Sequence, residues 1–298
     1  MTSSSSIPAL AMQKSWQLGL VGFPLSHSLS PLLHNAALQS LGLSGEYRLI
    51  PIHPTDFPHE FKNLLGSLKA GEIDGLNVTI PYKTTVLPYL DELSESATLT
   101  GAVNTIYSRS GRLVGVNTDA QGFLLDLERL GVLADRFPKP KSALILGSGG
   151  SARAVCYALL SNGWNIYFAA RQPAHASELL EHFVSVNPMF SQQLHSIVHL
   201  SQLDQTPDDI ALIVNTTPIG MFPGVDQCVW PARLPFPVNS FVYDLVYNPP
   251  HTCLMALAHS QGLACANGMG TLVHQAALAF KIWTGLEPGK SMWERLTA

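Results

Sequence analysis

Ala143–Arg153 reads ALILGSGGSAR. Ala143, Leu144, Ile145 and Leu146 make a short apolar run, the pattern of a strand buried in a parallel sheet. Gly147-Ser148-Gly149-Gly150 follows at once. Ala152, Ala154, Val155, Ala158, Leu159 and Leu160 then recur as the apolar side of a helix. Strand, glycine turn and helix together form a cradle for dinucleotide phosphates. Glycine lets the backbone turn tightly and approach a pyrophosphate, and the helix start offers free N–H groups and a positive dipole end. A plain tight turn has the same composition, so the rest of the chain must decide.

Outward from this segment, 298 residues suffice for one large or two medium domains, and 46% hydrophobic against 13% charged residues excludes wholesale disorder. The net charge of −4, with scattered Lys and Arg, offers no nucleic-acid groove. Cys156, Cys228, Cys253 and Cys265 show no paired spacing, which fits reduced thiols in a cytoplasmic enzyme. Met1–Gln13 lacks the basic start and apolar core of a secretory signal and reads as a frayed tail. No stretch approaches the roughly 18 apolar residues of a membrane span. The pairs His195/His199 and His27/His34 lack further ligands, so no metal site is expected.

The first half alternates strand and helix. Strands are expected at Trp16–Gly22, Glu46–Ile52 and Ile73–Ile80, helices at Pro31–Leu41, Phe57–Leu68 and Tyr82–Leu93. A hairpin, Val103–Tyr107 with Leu113–Val116, and a helix at Thr118–Leu130 follow. This is the pattern of an open α/β sheet. Ser30 before Pro31 has the form of an N-cap. Polar residues gather at the carboxyl ends of these strands, where such sheets place ligands: Ser28, Ser30, Asn77, Thr79, Asn104 and Asp119, with Lys83 at the start of a helix. Each has an ordinary alternative. Ser30 and Asp119 serve as caps elsewhere, Lys83 as a solvated lysine, and Asn77 and Asn104 as partners of backbone groups. Their joint placement is what points to a site.

Val132–Lys141 reads as a linker. Beyond the glycine turn, strands are expected at Asn165–Ala170, Ile210–Asn215 and Phe241–Val246, with helices at Thr252–Gln261 and Thr271–Thr284. The Asn165 strand ends in Ala170-Arg171. A site for NAD usually places an acid there, about 20 residues past the glycines. Arg171 instead suits a 2′-phosphate, so NADP is favoured; stacking on an adenine or facing solvent are its other uses. Gln275 is a polar residue beside the apolar stripe of the last expected helix.

Taken together, these motifs resemble the shikimate dehydrogenase family. The carriers are Gly22–Asn35 (GFPLSHSLSPLLHN), Asn77–Lys83 (NVTIPYK), Gly101–Thr105 (GAVNT), Asn117–Asp119 (NTD), Asn215–Met221 (NTTPIGM), Asp244–Pro249 (DLVYNP) and Gly268–Gln275 (GMGTLVHQ). The likeness runs from about Leu18 to Trp283. It implies two domains. Residues 1–118 plus 268–298 would form an open α/β substrate-binding and catalytic domain, completed by the C-terminal helix. Residues 119–267 would form a Rossmann-like NADP-binding domain. It implies reversible NADPH-dependent reduction of 3-dehydroshikimate to shikimate, with Lys83 and Asp119 catalytic. Ser28 and Ser30 would hold the substrate carboxylate; Thr79, Asn104, Tyr247 and Gln275 would surround the rest of it. Gly147, Gly149, Gly150, Ser151, Arg171, Thr216, Met221 and Gly268 would bind the cofactor. The expected partner is a small molecule, with no nucleic acid and no membrane, for a monomer or homodimer. Two departures stand out. Ala170-Arg171-Gln172 keeps one basic clamp where the family often has two, which narrows the margin over NAD, and Ser148 stands where alanine is common. An NAD-using quinate/shikimate dehydrogenase and a non-catalytic NADP-binding sensor are the alternatives; the presence of both Lys83 and Asp119 argues against the sensor.

Overall fold

The computed structural model describes residues 14–134, 137 and 139–297. The expected tail, Met1–Gln13, and Asp135, Arg136 and Pro138 of the expected linker lie outside the described residues. Two compact units divide the chain. One holds the residues up to Thr98, Ala102–Thr118 and those from Val273 onward; the other holds Leu99–Gly101 and Asp119–Leu272.

In the first unit the chain runs β1 (Trp16–Gly22), α1 (Ser30–Ser40), β2 (Gly45–Pro51), α2 (Phe57–Ala70), β3 (Gly75–Val78), β4 (Glu92–Leu93), α3 (Glu95–Thr100), β5 (Thr105–Arg109) and β6 (Arg112–Val116). The sheet order is β2-β1-β3-β5-β6-β4. Strands β2, β1 and β3 are parallel, while β5 runs against both β3 and β6. The carboxyl ends of β1, β3 and β6 and the start of β5 therefore share one edge. On α2, Phe57, Phe61, Leu65 and Leu68 recur at helical spacing and pack with Val21, Leu76, Val78 and Ile106 into one core.

Two expectations in this unit need correction. Tyr82–Leu93 is not a helix. It is a run of turns with a short 3₁₀ segment at Leu87–Tyr89, and it ends in β4. The Lys83 carbonyl accepts from the Val103 N–H at 2.8 Å instead of from a residue further along its own segment, and Pro88 removes a donor. Lys83 accordingly sits in a turn, not at a helix start. Ser30 is the first helical residue rather than the cap; Leu29 occupies that position, and the Ser28 hydroxyl accepts from the Ser30 N–H at 3.3 Å.

The second unit begins with α4 (Asp119–Arg129) and continues through β7 (Ser142–Leu146), α5 (Gly150–Leu160), β8 (Asn165–Ala170), α6 (Pro173–Val186), β9 (Leu194–His199), β10 (Leu212–Asn215), β11 (Phe241–Asp244), α7 (Cys253–Ser260), β12 (Cys265–Asn267) and the start of α8 (Met269–Thr284). Its six strands are all parallel, in the order β9-β8-β7-β10-β11-β12. Strand β7 is apolar from Ala143 on because both faces are covered: Ala143 and Ile145 enter one core, Leu144 and Leu146 the other. The strand order reverses between β7 and β10, the crevice where doubly wound sheets bind ligands. A helix beyond the last one expected, α9 (Ser291–Thr297), belongs to the first unit.

Candidate active site

At the ligand edge of the first sheet, loops after β1 and β3 meet. The Phe23 N–H donates to the Ile80 carbonyl at 2.9 Å, and the Thr79 N–H to that of Val21 at 2.9 Å. This holds half-buried Ser28 on one loop, with buried Ser30 at the start of α1 after it, and half-buried Thr79 and Lys83 on the other. Helix α1 begins at Ser30 without a side-chain cap and with no acid in its first turn, so its N–H groups suit an anion.

Behind this edge lies a buried amide network. Asn104 accepts at Oδ1 from the Thr118 N–H at 2.8 Å, and its Nδ2 donates to Thr118 Oγ1 at 2.8 Å and to Gln275 Oε1 at 3.4 Å. The structure thus brings Asn104 and Gln275 together. Asn77 donates to the Asn104 carbonyl at 3.0 Å and to Thr105 Oγ1 at 3.1 Å. Asp119, half-buried, follows Thr118 directly and opens α4. Nearby on α1, His34 is fully buried, with the Asn77 side chain beside it but no hydrogen bond of ordinary length and angle to either ring nitrogen. Burial holds its pKa down to about 3, and the Asn77 side chain only partly offsets this.

In the second unit the glycine turn leaves β7 at the reversal point. Gly147 has φ +107°, and a Cβ there would lie 2.7 Å from Thr216 Oγ1, so the position requires glycine. Gly149, by contrast, has nothing within 4 Å of where its Cβ would be. Open space therefore lies beside the start of α5, which has neither a side-chain cap nor an acid in its first turn. Gly150 and Ser151 form that first turn, and exposed Arg171 follows the carboxyl end of β8, with no acid in the first turn of the helix after it. These residues fit a phosphate-rich dinucleotide with an additional phosphate.

Across the crevice, β10 ends in Asn215 and β11 in Asp244, paired in register. Asn215 donates to Asp244 Oδ1 at 2.9 Å and accepts from the Thr217 N–H and hydroxyl at 3.0 and 2.7 Å. Asp244 also accepts from Thr252 and from the Val246 N–H. Burial raises its pKa to about 6 against these three bonds. This pair shapes the turn of Thr216 and Met221. Gly268 lies so close to the Leu245 carbonyl that no Cβ would fit, and Tyr247 is half-buried. The roles of Asn215 and Asp244 are not apparent from residue type alone; the available signal is a polar residue closing each of two otherwise apolar strands.

Among the described residues, no three His, Cys, Asp or Glu side chains gather to hold a metal, and no helix is long and apolar enough to cross a membrane. His195 stacks on Tyr167, and His199 bonds Ser201.

Residues 20–106 match the model of the shikimate dehydrogenase substrate binding domain, and residues 268–293 that of the shikimate 5′-dehydrogenase C-terminal domain. A shikimate dehydrogenase (NADP(+)) of Shouchella clausii is 38% identical, over 94% of this chain and 97% of its own. The Thermus thermophilus shikimate 5-dehydrogenase, solved with NADP(H) and shikimate, is 35% identical with a TM-score of 0.78, over 95% of this chain and 98% of its own. A quinate dehydrogenase of Corynebacterium glutamicum, solved with NAD, is 32% identical with a TM-score of 0.82, over 95% and 99%. With the glycine turn, the amide network and this likeness along almost its full length, the chain belongs to the shikimate dehydrogenase family.

Proposed function

We propose that this protein is an NADP-dependent shikimate dehydrogenase, reducing 3-dehydroshikimate reversibly to shikimate in aromatic amino acid biosynthesis. The observation that carries the reading is the gathering of Lys83, Thr79, Asn104 and Gln275 at one sheet edge, in a chain whose relatives are named for this reaction. The first unit is the substrate domain, and the unit beginning at Asp119 holds the cofactor. The substrate carboxylate lies at Ser28 and Ser30, at the start of α1, where an anion is favoured. Thr79, Asn104 and Gln275 hold the ring hydroxyls, and Tyr247 borders the substrate. Gly147, Gly149, Gly150, Ser151, Arg171, Thr216, Met221 and Gly268 hold NADP, with Arg171 at the 2′-phosphate. When bound, NADP supplies the hydride donor and acceptor.

The chain's own part is proton chemistry. As the substrate carbonyl becomes a hydroxyl, its oxygen gathers negative charge. The Lys83 ammonium stabilises that charge and gives the proton. Asp119 orients the ammonium and balances its charge. In oxidation the same pair takes the hydroxyl proton. The enzyme works in the cytoplasm as a monomer or homodimer, on a small molecule and without nucleic acid or membrane.

NAD use is a second reading, favoured by the single basic residue at Arg171 and by the NAD-bound quinate dehydrogenase among the structural neighbours. Initial rates for shikimate and for quinate, each with NADP⁺ and NAD⁺, test both readings. Fast turnover of shikimate with NADP⁺ is expected. Preference for quinate with NAD⁺ would establish the second reading, and no turnover of either would leave a cofactor-binding protein.

A further inference from the structure

Tyr47 has no role in the site described above, yet its hydroxyl heads a directed chain of hydrogen bonds. Backbone carbonyls only accept and backbone N–H groups only donate, so two backbone groups settle the direction. The Asn104 carbonyl lies 3.0 Å from the Asn77 side chain, which must present Nδ2 there. Oδ1 of Asn77 then faces Tyr47, whose hydroxyl donates to it at 2.8 Å. The Thr118 N–H donates to the Asn104 side chain, which must present Oδ1 to it. Asn104 Nδ2 therefore turns toward Gln275, which answers with Oε1. Thr105 links the two asparagines, accepting from Asn77 and donating to Asn104 Oδ1, each at 3.1 Å. Each amide has one orientation, and the other end of Gln275 is an N–H₂ donor.

Tyr47 is itself firmly held. It is buried, and its ring stacks on His34 at 4.2 Å and 4° from parallel. Asn35 clamps its backbone on both sides, accepting from the Tyr47 N–H at 2.7 Å and donating to the Tyr47 carbonyl at 3.1 Å. Without the hydroxyl, Asn77 Oδ1 would become a buried acceptor lacking its donor. The simplest relief is for Asn77 to turn, which withdraws Nδ2 from Asn104 and Thr105 and loosens Asn104 and Gln275.

We infer that Tyr47 is a positioning residue for the substrate-binding amides, and that Gln275 serves the substrate as a hydrogen-bond donor, reading an acceptor oxygen. This rests on the function proposed above. Tyr47→Phe tests it. KM for shikimate is expected to rise about tenfold, with kcat and the KM for NADP⁺ within about threefold of the parent. A merely structural role would lower the melting midpoint and the active fraction while leaving that KM in place; an unmoved KM in the folded variant overturns the inference. Gln275→Glu keeps an acceptor for Asn104 but removes the donor. It is expected to weaken shikimate binding as much as Gln275→Ala, and a KM near that of the parent refutes the donor role.

A readout independent of turnover is the exchange of the side-chain amide protons in ¹⁵N-labelled, unliganded protein. Those of Asn77 and Asn104 should be protected in the parent and exposed in Tyr47→Phe; equal protection in both overturns the relay. If the parent fails to oxidise shikimate, the proposed function falls, and the exchange measurement still decides the relay.

Discussion

Lys83 owes its place to its own carbonyl, which the Val103 N–H draws toward the sheet. The Lys83 backbone thereby stays beside the segment that leads into β5 instead of winding into a helix. Lys83→Ala is expected to lower kcat by about two to four orders of magnitude, with a smaller change in KM, as for a lost acid/base group. Near-normal kcat in the folded variant would take Lys83 out of the mechanism. His34 makes a prediction about stability. Its pKa is about 3 in the fold, against about 6.5 in an unfolded chain. Below pH 6.5 the unfolded chain takes a proton that the folded one refuses until about pH 3. Stability is therefore full above pH 6.5 and falls as acid is added, by about 1.4 kcal/mol per pH unit. Asp244, with its raised pKa, acts in the opposite sense: its contribution is full below about pH 3.9 and lost as pH rises through about 6. That term is common to parent and variant. His34→Phe should thus lose about 2 kcal/mol less than the parent between pH 7.5 and 5. Denaturant melts at the two pH values measure this, and equal acid losses would clear His34 of the effect.

Among elements, the tips of the strands carry most of the chemistry. The turn between β8 and α6 places Arg171 in the open, with no acid in the first turn of α6. Arg171→Ala is expected to raise the KM for NADP⁺ by about tenfold or more while leaving that for NAD⁺ within about twofold, as the proposed phosphate contact of Arg171 requires. Steady-state rates with each cofactor measure this; equal shifts would show that Arg171 does not read the extra phosphate. Strand β7 and its glycine turn are legible in sequence because both faces of the strand are buried, so the apolar run is continuous and its end is abrupt. Asn77 is legible as a polar residue inside the apolar β3, and Asn104 as one just ahead of β5. The segment after Pro81 is not. Leu87, Leu90 and Val86 fit helical spacing, and besides Pro88 it is the distant Val103 N–H that diverts the backbone. Tyr47 is hidden for a similar reason: nothing in its own strand marks it, and its partner Asn77 lies on β3. Helix α6 has a plain signal in Ala176, Leu179 and Phe183, its buried side.

The molecule as a whole has two units with separate cores. Each ligand should therefore stabilise the unit that holds it. NADP⁺ at a hundred times its dissociation constant should add about 2.7 kcal/mol to the transition in which residues 119–272 unfold, and shikimate should act on the other. Scanning calorimetry in which both ligands move the same single transition would argue against separate cores. The first unit is also discontinuous, and its closing piece comes late in the chain. Trp283 on α8 lies 5.4 Å from the His34 ring and 6.4 Å from that of Tyr47, and donates to the Ile106 carbonyl. During synthesis the strands of this unit leave the ribosome first, yet their core lacks a wall until Trp283 emerges. The unit translated in between is complete by then. The nucleotide-binding half can thus fold on the nascent chain, while the half that begins the sequence must wait for its last helices.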